Sequence, residues 1–257
     1  MVTGLFRQWA CAVSLLLALA VNALASTGVI NGITTGEVSD QFSVYLIPAG
    51  YVFSIWGVIY LGLIVFTVYQ ARRVHRDDRD LDRIGSWFIL SNVVNAVWIV
   101  LFHFELFLLT LPVIALLLFI LVRIVVILEP GRTMGPRLRL WAVHLPFGIY
   151  LGWVTVATVA NAVQTLDAAG YSGTPLSPET WALVLYAAIV LISWFFSFRR
   201  THLPHAAVLV WALIGTAVAD SGNTLIVAAA WVSVALVALG YLLAYTLRSR
   251  RVPPIVV

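Results

Sequence analysis

Residues 107–128 read FLLTLPVIALLLFILVRIVVIL, an apolar run with one charged side chain, Arg123. About 20 such residues let an α-helix cross a bilayer, because the helix bonds its own backbone polar groups. Working outward, seven more stretches have the same character: roughly 8–28, 47–70, 85–103, 138–164, 180–198, 204–220 and 223–247. The 204–220 stretch is the shortest. The eight runs consume most of the 257 residues and leave no room for a soluble domain. Composition agrees, with 62% hydrophobic and 10% charged residues, against about 45–50% and about 25% in soluble domains. The mean hydropathy is +1.01. The expected fold class is all-α: an integral membrane helical bundle in contact with the lipid bilayer.

The charges orient that bundle. All 15 basic residues are Arg, and the lack of Lys excludes a retinal or pyridoxal Schiff base and a Walker-type phosphate loop. The single cysteine, Cys11, excludes an internal disulfide and a Cys-rich metal site. Arg7 precedes the first run; Arg72, Arg73, Arg76, Arg79 and Arg83 follow the second; Arg132, Arg137 and Arg139 follow the fourth. Arg199 and Arg200 follow the sixth, and Arg248, Arg250 and Arg251 follow the eighth. The intervening connections have no Arg. The positive-inside rule makes every second connection cytoplasmic and puts both termini inside. Despite a pI near 9.5, charges in short clusters between apolar runs serve orientation and not nucleic-acid binding. Residues 1–25 read either as a retained first span or as a cleaved signal ending at Ala23-Leu24-Ala25-Ser26. Abundant Arg, Ala and Val without Lys fits a bacterial plasma membrane.

Ionisable groups inside the runs are scarce. Arg123 is near enough to its helix end to snorkel to the interface, and Asp220 reads as a cap of the last helix. His103 and His144 lie near span ends and read as interfacial. The mixed stretch Arg76-Asp77-Asp78-Arg79-Asp80-Leu81-Asp82-Arg83 reads as a solvated helical extension. No relay of titratable groups crosses the bilayer, which argues against a proton-coupled pump. No metal-ligand set and no nucleophile–base pair stands out.

The informative residues are aromatic and amide. Phe53, Trp56 and Tyr60 on the second run, with Tyr51 at its entrance, are spaced to share one helix face. So are Asn92, Asn95, Trp98 and Phe102 on the third, and Tyr150, Trp153, Ala157 and Asn161 on the fifth. At about 1.5 Å of rise per residue, Trp56, Asn95 and Trp153 fall in the outer half or middle of the bilayer. Trp9, Trp87, Trp141 and Trp181 take the interfacial positions Trp usually prefers. Two readings of the deep set stand side by side: a shared cavity, or plain helix–helix packing by Trp and Asn.

Three of these stretches resemble motifs of the TspO/MBR family, the tryptophan-rich sensory proteins related to the translocator protein. Pro48-Ala49-Gly50-Tyr51-Val52-Phe53-Ser54-Ile55-Trp56-Gly57-Val58-Ile59-Tyr60 is similar to Pro-Pro-Gly-Trp-x-Phe…Trp-x-x-x-Tyr. Asn95-x-x-Trp98-x-x-x-Phe102 is similar to the third-helix motif, and Trp153 through Asn161 to the fifth-helix Trp-Val-Ser-Phe-Ala-Thr-x-x-Asn. The resemblance covers about residues 8–165. It departs in Ala49 and Tyr51, in Ile149 where Pro is usual, and in a missing residue between Phe53 and Trp56 that rotates one aromatic off the site. Three spans, within 180–247, have no counterpart in a five-helix fold.

The resemblance implies a five-helix bundle over 1–165, with three further helices and an Arg-rich tail over 166–257. It implies a pocket for apolar planar ligands such as tetrapyrroles, covered by the first loop, whose Gly32-Ile33-Thr34-Thr35-Gly36 suits a lid. The expected ligand-binding residues are Tyr51, Phe53, Trp56, Tyr60, Asn92, Asn95, Trp98, Trp153, Ala157 and Asn161. Porphyrin is expected as a ligand and no resident cofactor or metal is expected. With no strong acid, base or nucleophile in the set, the expectation is a sensor, binder or carrier and not an enzyme. A secondary transporter or facilitator, and a ligand-free structural protein, are the alternatives. Gly215 and Ala219 would permit the close helix contact of a homodimer.

Overall fold

The computed structural model describes residues 2–42, 44–128, 137–170, 176–200 and 203–249, without the side chains of Arg200 and Ser249. Arg132, Arg250 and Arg251 of the basic pattern lie outside the described residues. The chain forms α1 (Gly4–Ser26), α2 (Thr35–Asp40), α3 (Ile55–Ala71), α4 (Arg79–His103) and α5 (Phe107–Leu128). A short α6 (Arg137–Arg139) continues through a π-helical turn, Leu140–His144, into α7 (Leu145–Ala168). Then follow α8 (Pro178–Arg200), α9 (Leu203–Ala219) and α10 (Thr224–Ser249). The chain is an integral membrane helical bundle, as expected.

Among the described residues, seven helical segments are long and apolar enough to cross a membrane. The remaining expected span, the seventh, is α9, apolar but with only 17 residues. It reaches about 25 Å, short of a hydrocarbon core of about 30 Å. Pro204 stands in its first turn, and the Asp220–Asn223 turn ends it early. Asn223 does the capping of α10: its Oδ1 accepts from the Leu225 and Ile226 N–H groups at 3.1 and 3.3 Å. The cap expected of Asp220 is therefore made three residues later.

Helices α1, α4, α5, α7 and α3 pack in that cyclic order, each on the next, closing a ring of five. Helices α8, α9 and α10 pack on one another as a second group, joined to the ring chiefly through α9 on α7. Small residues allow this seam. A Cβ on Gly152 would lie 2.9 Å from Val208 Cβ and 3.0 Å from the His205 carbonyl, and one on Gly215 would run into Val52. The Ala49 N–H donates to the Gly215 carbonyl at 3.1 Å, and Trp211 Nε1 donates to the Val52 carbonyl at 3.3 Å.

At the Arg-rich end the segment expected to be a solvated extension keeps Arg76, Asp77, Arg79 and Arg83 exposed, while Asp78, Asp80 and Asp82 form an internal fastening. Arg7, 1% exposed, donates to the Asp82 carboxylate, to the His75 carbonyl at 2.6 Å and to the Asp78 carbonyl at 3.3 Å. Gly85 gives it passage, since a Cβ there would sit 2.8 Å from Arg7 Cγ. Arg139 bridges Asp78 at 2.6 Å and Asp80 at 2.8 Å. The three aspartates looked solvated because their partners come from α1 and α6, far away in sequence. Arg123 behaves as expected, lying exposed with its guanidinium 5.7 Å from the Trp87 ring centre.

Candidate functional site

Three aromatic stripes meet inside the ring. Trp56 on α3 stands at the centre, with ring centres 6.3 Å from Trp98 on α4 and 6.2 Å from Trp153 on α7. Tyr60 stacks below it at 5.4 Å, and Tyr150 meets it edge-on at 6.1 Å. Phe53 reaches Trp153 at 5.7 Å. The missing residue between Phe53 and Trp56 does not turn either ring away. Gly50–Ser54 is a 3-10 turn, and at three residues per turn positions three apart align.

Above the rings lies a cavity of about 40 Å³. Phe53, Trp56, Trp98, Trp153, Ala157 and Asn161 line it, and so do Phe102, Val156, Ala160 and Gln164. Its roof is α2 and the following linker, through Thr35, Ser39, Ile47 and Pro48. Thr34 caps α2 in a capping box with Glu37, each side chain bonding the other's backbone N–H. His103 latches the roof: a carbonyl only accepts, so its Nδ1 donates to the Ile30 carbonyl (3.3 Å), while Nε2 meets Thr35 Oγ1 at 3.0 Å. His103 stands at the end of its span, as expected, and there it is fully buried by the protein. Gln164 Nε2 donates to Ser39 Oγ at 3.3 Å. These few bonds hold the roof shut.

The cavity wall has polar groups with nothing to bond. Trp98 Nε1, Trp153 Nε1 and both amide atoms of Asn161 are buried without a partner, as is the Tyr60 hydroxyl below. Asn161 is only 1% exposed and Trp153 2%. Most buried polar groups in proteins are satisfied, so four such atoms around one space call for a physical reason.

The remaining expected residues lie elsewhere. Asn92 Nδ2 donates to Ser14 Oγ at 3.0 Å, and Asn22 Nδ2 donates to Asn95 Oδ1 at 2.8 Å. Asn92 thus fastens α4 to α1, while Asn95 joins α1 and also bonds Tyr150 of α7, beside the Trp56 cluster. Neither lines the cavity. Tyr51 is 47% exposed and meets Trp211 of α9 edge-on at 5.5 Å. The spacing rule missed Asn22, Thr35, Ser39 and Gln164. Gln164 was accessible as the next step of the α7 stripe, and Thr34–Glu37 as a capping box; Asn22 and Ser39 had no local signal.

A family model described as TSPO-like protein matches residues 8–243. This bears out the resemblance carried by the three motifs, and the match runs beyond residue 165 into α10. No curated protein and no solved structure matches the chain.

Proposed function

The chain belongs to the TSPO-like family, and on that premise we propose that it is a membrane binding protein, sensor or carrier, for apolar planar ligands such as tetrapyrroles. The ligand is received between Phe53, Trp56, Trp98 and Trp153. One observation carries this reading: the unpartnered Trp98, Trp153 and Asn161 groups around one cavity. Leaving such groups unbonded in an apolar interior costs about 1–3 kcal/mol each, a cost that a ligand offering acceptors and a donor offsets. The rings supply stacking, worth about 0.5–1.5 kcal/mol per well-placed pair beyond area burial. No acid, histidine or cysteine is among the described lining residues, which supports binding without turnover.

The cavity of about 40 Å³ has room for water and is far below the roughly 300–1,000 Å³ of small-molecule pockets. On this reading the cavity is the closed form of the site. Binding requires α2 to lift and the Trp cluster to part.

The reading is tested by titrating the purified protein with protoporphyrin and following tryptophan emission. Saturable quenching is expected, weakened in Trp153→Ala and in Asn161→Ala. A second reading, a scaffold without a ligand, draws on Asn92 and Asn95, which do join helices. It predicts no saturable quenching, with the same substitutions changing only thermal stability.

A further inference from the structure

Arg123 is the one charged side chain in the 107–128 run, and α5 continues past it to Leu128. At about 1.5 Å of rise per residue it enters the span by about 7.5 Å, a depth at which a charge needs a partner. Its side chain is exposed on the outside of the bundle. Among the described residues no carboxylate pairs with it, and Glu129, the next acid along the chain, lies outside them. Its contact is the Trp87 ring of α4, whose centre is 5.7 Å from the guanidinium carbon. A second arginine on a ring, Arg199, differs. Its Phe195 lies one turn back in the same helix, and α8 ends at the next residue. Arg123 is instead held from a neighbouring helix, well inside the span.

The seam between α4 and α5 is ordered by polarity. On α4, Arg83 stands one turn before Trp87; on α5, Arg123 stands one turn after Phe119. Each pair shares a helix face. The helices run in opposite directions, so both arginines lie toward the Arg-rich end and both rings toward the bilayer middle. Trp87 and Phe119 meet edge-on at 6.1 Å, which joins the two pairs across the seam. Arg83 is 56% exposed, and its carboxylate partner Asp80, at 3.9 Å, is already bridged to Arg139 at 2.8 Å. Deeper along the two helices, exposed Leu90 and Leu116 continue the apolar surface. Two cations, then two rings, then an aliphatic surface repeat the order of phosphate, glycerol and acyl chain in a phospholipid.

We propose that this seam binds one anionic phospholipid from the leaflet at the Arg-rich end. Arg83 and Arg123 take its phosphate oxygens, which suit the planar fork of a guanidinium. Trp87 and Phe119 lie against the glycerol and the first methylenes. A zwitterionic lipid brings its own cation up to the two arginines and binds less tightly. A free phosphate gains nothing from the rings and has to leave water to reach Arg123. The site is separate from the aromatic cavity and stands whether or not that cavity takes a ligand.

The test titrates the full-length protein in a neutral detergent with phosphatidylglycerol or phosphatidylcholine carrying the same pyrene-labelled chain. Binding is read by energy transfer from tryptophan. Phosphatidylglycerol should bind saturably and about tenfold more tightly than phosphatidylcholine. Arg83→Gln with Arg123→Gln should abolish that preference, and Arg83→Gln alone, at an exposed position, should narrow it. Arg73→Gln with Arg76→Gln removes the same charge from the turn before α4 and should leave it intact. Inorganic phosphate, against chloride of equal ionic strength, should not displace the lipid. Equal affinities for the two lipids, or a preference that survives the Arg83 and Arg123 substitutions, would overturn the site. So would an equal loss from the Arg73 and Arg76 pair, which would mean diffuse attraction, or displacement by phosphate, which would mean a free-anion site.

Discussion

Asn161 concentrates the residue-scale argument. An amide 1% exposed with no protein partner for either atom is open to whatever enters the cavity, and on the proposed reading that is the ligand. Asn161→Leu is therefore expected to raise the thermal midpoint, by about 1–3 kcal/mol of stability, while weakening ligand binding. A loss of both would point to packing alone. Arg7 is the opposite case, a buried charge fully engaged. Arg7→Met should cost about 3 kcal/mol, seen as a lower unfolding midpoint in detergent. Asp78, just outside the membrane span, adds a pH dependence. Burial alone would raise its carboxyl, but the Leu81 and Asp80 N–H groups and the Arg139 guanidinium together hold it below the usual value of 3.8. The folded state then takes up the proton less readily than the unfolded chain. Its stabilisation is full above that ordinary value and is lost as pH falls through the depressed one. The midpoint should stay flat near neutrality and fall in acid, and Arg139→Met should flatten the acid limb.

Among elements, α2 forms the cavity roof and α9 packs against the linker that completes it. α2 has only 6 residues, too few to persist without caps and contacts. Thr34→Ala removes its capping box at a cost of about 1 kcal/mol. It should speed ligand association in stopped-flow quenching without abolishing binding; an unchanged rate would mean that α2 is no barrier. α9 rests on the linker through Gly215, and a Cβ there meets Val52 and, at 3.2 Å, Pro48 Cβ. The stripes on α3, α4 and α7 were legible in the sequence because helical spacing is local. Their partners were not. Asn22 and Asn95 are 73 residues apart, and no spacing within α4 shows which of its aligned polar and aromatic positions find partners on α1. The roof segment was legible as Gly and Thr, though its short helix needed the capping box to be read.

The whole molecule is a five-helix ring with a three-helix flank, and its two ends differ in charge. The helix count and the alternation of Arg came from hydropathy and charge alone, since lipid imposes both. The closure of the ring and the seating of α9 did not, because they depend on which small residues meet. The positive-inside reading makes the α2 end external. A cysteine at Glu37 should then react with a membrane-impermeant maleimide on intact cells, while one at Arg76 should not; native Cys11, being buried, gives little background. The most direct test of the proposed closed site is the distance between spin labels on Glu37→Cys in α2 and Asp167→Cys at the end of α7, measured by double electron–electron resonance. Saturation with protoporphyrin should shift the population to longer distances as α2 lifts from the Trp cluster. Saturable binding with an unchanged distance distribution would contradict the account.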